Sequence, residues 1–168
     1  MEEIKPQEQK LKSIYDLANE ISEQRKDING VILAIQKAIL DHKYSLKENY
    51  QPRSILESRF TPSEEAFEKG MTSCGAMTNI ASDILRHIGY KVRLVHGESK
   101  ESVDHAWISV LDEKTNTWIE FDLTRKGAAV PETNKKKLEV NSWEEMRDVI
   151  EKDHETFKNR KNERDLNE

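Results

Sequence analysis

A single cysteine, Cys74, among 168 residues excludes an internal disulfide and with it the small secreted scaffold held by bridges. No apolar run approaches the roughly 20 residues needed to cross a bilayer. The opening MEEIKPQEQK lacks the basic and then apolar order of a signal peptide, so no membrane partner is expected and the expected location is cytoplasmic. Positive charge is not in surplus: the formal net charge of -5 argues against a nucleic-acid partner, because neutralising phosphates needs a basic surface. The run Lys135 to Lys137 is local and reads as a solvated loop. There is no CxxC, HxxxH or HExxH spacing, and no metal is assigned; there is no GxxxxGK[ST] loop, and no cofactor is assigned. The sequence carries no mark of oligomeric state.

What is present suits one domain over 1–168 with solvated helices, since charged residues match hydrophobic ones at 35% each. Leu11, Ile14, Leu17, Ala18 and Ile21 predict an amphipathic helix over 8–24 within an N-terminal segment of 1–27. Ile28, Val31, Ile32, Ile35 and Ile39 predict a second, fading at Lys43 and Tyr44 into a polar stretch with Pro52 that reads as loop. Thr61-Pro62-Ser63-Glu64 reads as a helix start with Thr61 as cap, and Gly70 as its stop. Met77, Ile80, Ala81, Ile84, Leu85 and Ile88 predict a buried central helix from Thr72 or Ser73 to His87, ended by Gly89. Strands are expected over 91–96, 103–111 and 118–123, the last two as a hairpin. Residues 126–140 read as loop, 141–157 as a helix opened by the capping box Ser142-x-x-Glu145, and 158–168 as a frayed tail.

Cys74 alone is either a small buried hydrophobe or chemistry. Its place at the start of the central helix favours the thiolate, because unpaired N–H groups and the helix dipole gather there. The hairpin supplies a base. If His105 faces Asp122, then Leu111 faces Asn116, 112–115 form a four-residue loop, and Ala106 with Phe121 and Ile108 with Ile119 make apolar pairs on the other face. A carboxylate opposite the ring binds one nitrogen and leaves the other for sulfur, the logic of a nucleophile–base–orienter triad.

Three blocks carry a family resemblance: Gly70-Met71-Thr72-Ser73-Cys74-Gly75-Ala76 running into Leu85 to Gly97, then Asp104-His105-Ala106-Trp107, then Trp118-Ile119-Glu120-Phe121-Asp122-Leu123-Thr124. In order and spacing they resemble the transglutaminase-like superfamily over about 28–125, with Leu123 where the family usually has proline. The resemblance implies an α+β, papain-like fold: N-terminal helices, a central cysteine-bearing helix packed on an antiparallel sheet, and a C-terminal helix. It also implies the catalytic set Cys74, His105 and Asp122, acting on a peptide or protein amide through an acyl-enzyme. Hydrolysis by a cysteine peptidase or amidase is favoured over transamidation, because the minimal domain resembles the microbial, protease-like branch. The alternative is a binding or scaffold module with an occluded cleft.

Tyr44, Tyr50 and Gln51 are candidates for a second oxyanion donor beside the Cys74 N–H. His87 and His96 read as structural, Trp143 as an anchor, and Asp104 as a solvent-facing strand residue. Trp107 and Trp118 share the predicted face of the triad and either wall the cleft or pack under flanking helices.

Overall fold

The computed structural model describes residues 13–48, 50–100, 102–130, 134–152 and 155. Helix α1 (Ile14–Glu23) is opened by Ser13 and Asp16, which form a reciprocal capping box, and buries Ile14, Ala18 and Ile21. Residues 8–12 of the expected helix lie outside the described residues. Helix α2 (Ile28–Ser45) starts at Asp27, whose side chain accepts from the Gly30 N–H, and buries Val31, Ile32, Ile35 and Ile39.

The polar stretch read as loop contains a helix, α3 (Ile55–Phe60). The Ser54 hydroxyl accepts from the Glu57 N–H, so the Ser-x-x-Glu pattern expected of a helix start was present at 54–57. Thr61 is the C-terminal cap of α3 instead of the opening cap of the next helix: its N–H and hydroxyl both bond the Glu57 carbonyl. Helix α4 (Ser63–Glu68) follows with Pro62 at its cap position and no side-chain cap bond.

Helix α5 (Cys74–Ile88) is the centre of the core. Ser73 caps it by accepting from the Ala76 N–H, and Gly89 ends it at φ 118°, a left-handed backbone that glycine adopts without cost. Met77, Ile80, Ala81, Ile84 and Leu85 are buried against the other helices and the sheet; each large aliphatic side chain so buried contributes about 1.5–3 kcal/mol.

Among the described residues the sheet has four antiparallel strands in the order β3-β2-β1-β4: β1 (Val92–Ser99), β2 (Ser102–Asp112), β3 (Thr117–Phe121) and β4 (Lys135–Val140). Strand β4 and a short 3-10 turn, Lys126–Ala128, occupy the segment read as loop, and Lys135 to Lys137 lie in β4. The expected C-terminal helix begins as a 3-10 turn, Trp143–Met146, with the Ser142–Glu145 capping box, and continues as helix over 147–152. The expected tail over 158–168 lies outside the described residues.

Alternation gives the sheet one face toward α5, with Val92, Leu94, Ala106, Ile108, Val110 and Phe121 buried. On the other face Val95, Trp107 and Ser109 are also buried. Around them, charged side chains join across strands, Arg93 to Glu139 and Lys136 to Glu120, while Lys136 also pairs with Glu139 along β4 and the Arg93 guanidinium lies 4.2 Å from the Trp118 ring centre. Long stems with charged ends suit that task. The result is an α+β fold, a cysteine-bearing helix packed on a curled antiparallel sheet. Among the described residues no helix is long and apolar enough to cross a membrane.

The β2–β3 register differs from expectation by two. The ladder pairs Ile108 with Phe121, Val110 with Ile119 and Asp112 with Thr117, so the four-residue loop is 113–116. Local chemistry places it there: the Asp112 carboxylate accepts from the Lys114 N–H, and Asn116 takes the left-handed φ of 53° that asparagine tolerates.

Candidate active site

Cys74 is the first residue of α5 and is partly exposed. Its N–H belongs to the first turn, where backbone donors have no partner inside the helix. His105, near the start of β2, is close enough to the Cys74 thiol for each to shift the other's titration. Its Nε2 lies 2.7 Å from Asp122 Oδ2, which leaves Nδ1 for the sulfur. The three residues expected to act together are thus adjacent.

Asp122 is fully buried just beyond β3. Its Oδ1 accepts from the Thr124 N–H at 3.0 Å and from the Thr124 hydroxyl at 2.6 Å, while its own N–H bonds the Ala128 carbonyl at 2.9 Å. The Asp-x-Thr spacing therefore closes a local turn that aims Oδ2 at the histidine. Leu123, between them, is buried, and its carbonyl accepts from Gln36 Nε2 at 2.8 Å, tying this turn to α2.

Burial alone would push the Cys74 thiol up; the hydrogen bond with His105 and the charge and hydrogen bond of Arg59 outweigh it and bring the thiol to about 6. For His105 burial pushes down, but its bonds to Asp122 and Cys74 outweigh that and raise it to about 9. Burial of Asp122 pushes its carboxyl up, and the bonds from His105 and Thr124 prevail to hold it below the ordinary carboxylate value. Each of the two groups thus favours the charged form of the other.

Arg59 was not foreseen. It stands on α3, in the stretch read as loop, with Nη1 3.4 Å from Cys74 Sγ and Nη2 2.7 Å from Asp104 Oδ1. Asp104 is a correction as well: it is not solvent-facing, for alternation turns it to the α5 side of the sheet, where its side chain and that of Arg59 are 3% and 1% exposed. His96 Nδ1 lies 3.3 Å from the same carboxylate oxygen, so this histidine sits within the buried polar cluster. Burial pushes the Asp104 carboxyl up, and His96 and Arg59 together bring it below the ordinary value. The approach of α3 depends on Gly75, where a Cβ would lie 2.5 Å from Ser58 Oγ and 2.7 Å from both Arg59 Nη1 and the Ser58 carbonyl. The signal for α3 was its cap; nothing local marked Arg59, since its partners are remote in sequence.

The remaining expectations resolve in several ways. Tyr50 donates to Glu57, and Tyr44 is 75% exposed beside Lys43. Trp107 is buried, donates to Glu120 Oε1 at 2.8 Å, and sits 5.8 Å from the His105 ring; Trp118 lies half-exposed on the outer face. Trp143 anchors the C-terminal segment: it donates to Asn79 Oδ1 at 2.8 Å and covers the Arg59 guanidinium at 4.9 Å. His87 faces Asn19 and Tyr15 near the end of α5. Among the described residues no group of three His, Cys, Asp or Glu side chains is arranged to hold a metal ion.

The sequence pattern of the transglutaminase-like superfamily matches residues 11–123. Among solved structures, the fold is similar to a candidate cysteine protease from Cytophaga hutchinsonii, with 15% identity and a TM-score of 0.56 over 77% of this chain and 42% of that one. A TGase matches at 17% identity and a TM-score of 0.47 over 74% of this chain and 34% of that one, and LapG of Legionella pneumophila at 10% and 0.45 over 78% and 85%. The chain thus spans less than half the length of the first two. No curated protein sequence matches it.

Proposed function

The chain belongs to the transglutaminase-like superfamily, and we propose that it carries out thiol-dependent acyl chemistry on a peptide or side-chain amide, with hydrolysis as the outcome. The observation that carries this reading is the His105 ring, bonded at 2.7 Å to the buried Asp122 carboxylate and near enough to the Cys74 thiol for the two to shift each other's titration.

The Cys74 thiolate attacks the amide carbonyl carbon, forming an S–C bond while the carbonyl π pair moves to oxygen. The Cys74 N–H at the start of α5 offers that oxygen a donor. His105 gives its proton to the departing nitrogen as the C–N bond breaks, leaving a thioester and a neutral imidazole. Water then attacks the thioester with His105 taking its proton, and the acid and free thiolate result. Asp122 keeps the ring oriented and stabilises its charged form throughout. An amine in place of water would give transamidation by the same steps.

Mass spectrometry of peptide and glutamine-containing substrates incubated with the protein, with and without a primary amine, tests this. New carboxyl products in both mixtures are expected. Amine adducts in preference to acids would assign transamidation. An unreactive Cys74 with no product would assign a binding module with the same fold.

A further inference from the structure

We propose that Arg59 is a catalytic residue: its guanidinium is a second cation, besides His105, that holds the Cys74 sulfur as the nucleophilic anion. This deepens the acyl-transfer reading of Cys74 and rests on it.

The geometry is that of a built site. Nη1 touches the reacting sulfur at 3.4 Å, within hydrogen-bonding range for so large an acceptor, and the residue is 2% exposed. The guanidinium cannot drift from this position. Asp104 holds Nη2 at 2.7 Å, the Trp143 ring covers the planar group at 4.9 Å, and the Arg59 carbonyl is held by Asn79 Nδ2 at 2.7 Å. Trp143 and Asn79 are themselves joined, so α3, α5, β2 and the C-terminal segment all converge on one side chain. Gly75 directly follows the nucleophile and leaves the space through which Nη1 approaches.

The charges around the sulfur come from several elements. Arg59 approaches from α3, and His105, backed by Asp122, from β2. Asp104 partly neutralises Arg59 and is shared with His96 on β1. Arg125 Nε is 3.9 Å from Asp122, and from α2 Lys43 reaches Thr72, two residues before the nucleophile. Arginine remains charged at every pH of interest, unlike histidine. The consequence is functional: when His105 surrenders its proton to the leaving group, Arg59 still stands beside the sulfur. As the thioester hydrolyses, the sulfur leaves with its bonding electron pair, and the fixed guanidinium receives that charge without needing a proton. In an exposed Cys–His pair, histidine alone must serve both purposes.

The test is the pH dependence of Cys74 alkylation by iodoacetamide in the full chain, with folding checked by circular dichroism. Because the chain has one cysteine, all labelling reports Cys74. Two variants are expected to move in opposite directions. The pair Arg59→Gln with Asp104→Asn removes the cation without stranding the buried carboxylate, and should raise the midpoint by about one unit, slowing labelling below it about tenfold. Asp104→Asn alone keeps Arg59 and removes its neutraliser, and should lower the midpoint. A folded double variant with the wild-type midpoint, or an unchanged or raised midpoint in Asp104→Asn, overturns the role of Arg59; should the double variant not fold, Asp104→Asn decides alone. If the wild type itself reacts only near the free-thiol value of about 8.5, the acyl-transfer reading fails first and takes this one with it.

Discussion

His105 and Asp122 make a 2.7 Å hydrogen bond although they are not cross-strand partners. The ladder pairs Ile108 with Phe121, so the carboxylate lies diagonally from the ring, beyond the last residue of β3, and reaches it from a turn pinned by Thr124. A diagonal neighbour on the same sheet face stands roughly 7–8 Å away by Cα, a span that an imidazole and a carboxylate together close. Orientation of the base thus depends on a turn as well as on the sheet.

Labelling and turnover should part company at high pH. The thiol titrates at about 6 and the imidazolium at about 9, each held there by the other and by neighbouring charge. Alkylation needs only the thiolate, so it should rise through the lower value and stay high. Amide turnover also needs the imidazolium proton and should fall through the upper one. Rate measurements at closely spaced pH values check both limbs; turnover that keeps rising beyond pH 10 would contradict the assignment of His105 as acid.

Substitution of the base should cost more than substitution of its support. His105→Ala removes the proton carrier and should lower amide turnover ~10²–10⁴-fold. Thr124→Val deletes the hydroxyl that binds Asp122 Oδ1 while leaving the Thr124 N–H bond, and should lower stability by about 0.5–1.5 kcal/mol. Urea unfolding read by fluorescence measures that loss. A Thr124→Val protein of unchanged stability would show that the backbone bond alone holds the carboxylate.

Gly75→Ala should be damaging out of proportion to its size. The added carbon would meet the Ser58 carbonyl at 2.7 Å as well as two side-chain atoms, and a backbone carbonyl cannot rotate away. Overpacking of this kind costs typically ~1–3 kcal/mol, and α3 must retreat from α5. The measurement is thermal unfolding together with the alkylation midpoint, which should rise as Arg59 withdraws.

Acid should weaken the fold through two buried carboxylates. Asp104 and Asp122 both titrate below the ordinary 3.8 in the folded chain, by virtue of Arg59 and His96 in one case and His105 and Thr124 in the other. Groups depressed in this way contribute stability that is present above the unfolded value and is lost as pH falls through the folded one. Urea midpoints should therefore drop as pH is lowered below about 3.8 toward those depressed values. A midpoint flat from pH 5 to 2 would rule the linkage out.

Much of this arrangement was legible in short stretches of chain because short-range physics governs it. The cap at Ser73, the apolar stripe from Met77 to Leu85 and the left-handed stop at Gly89 are decided within a turn or two of helix. Alternation likewise placed His105 on the face opposite Ala106 and Ile108. The register error of two left that parity intact, since side chains repeat every second residue. The helix at 55–60 was missed for a different reason: it is too short for its apolar pattern to stand out, although its Ser54–Glu57 cap was there to be read.

By itself, then, the sequence determined on which kind of element each candidate residue sits: Cys74 at a helix start, His105 in a strand, Asp122 at a strand's end. Tertiary structure alone decided how the carboxylate reaches the ring, and that a buried guanidinium 15 residues upstream touches the sulfur. The reason is physical. Helix caps and strand parity are local and periodic, so they leave a signature in neighbouring residues. An ion pair between Arg59 and Asp104 spans 45 positions and follows no period; it exists because two polar groups, once brought into an apolar interior by packing, must satisfy each other.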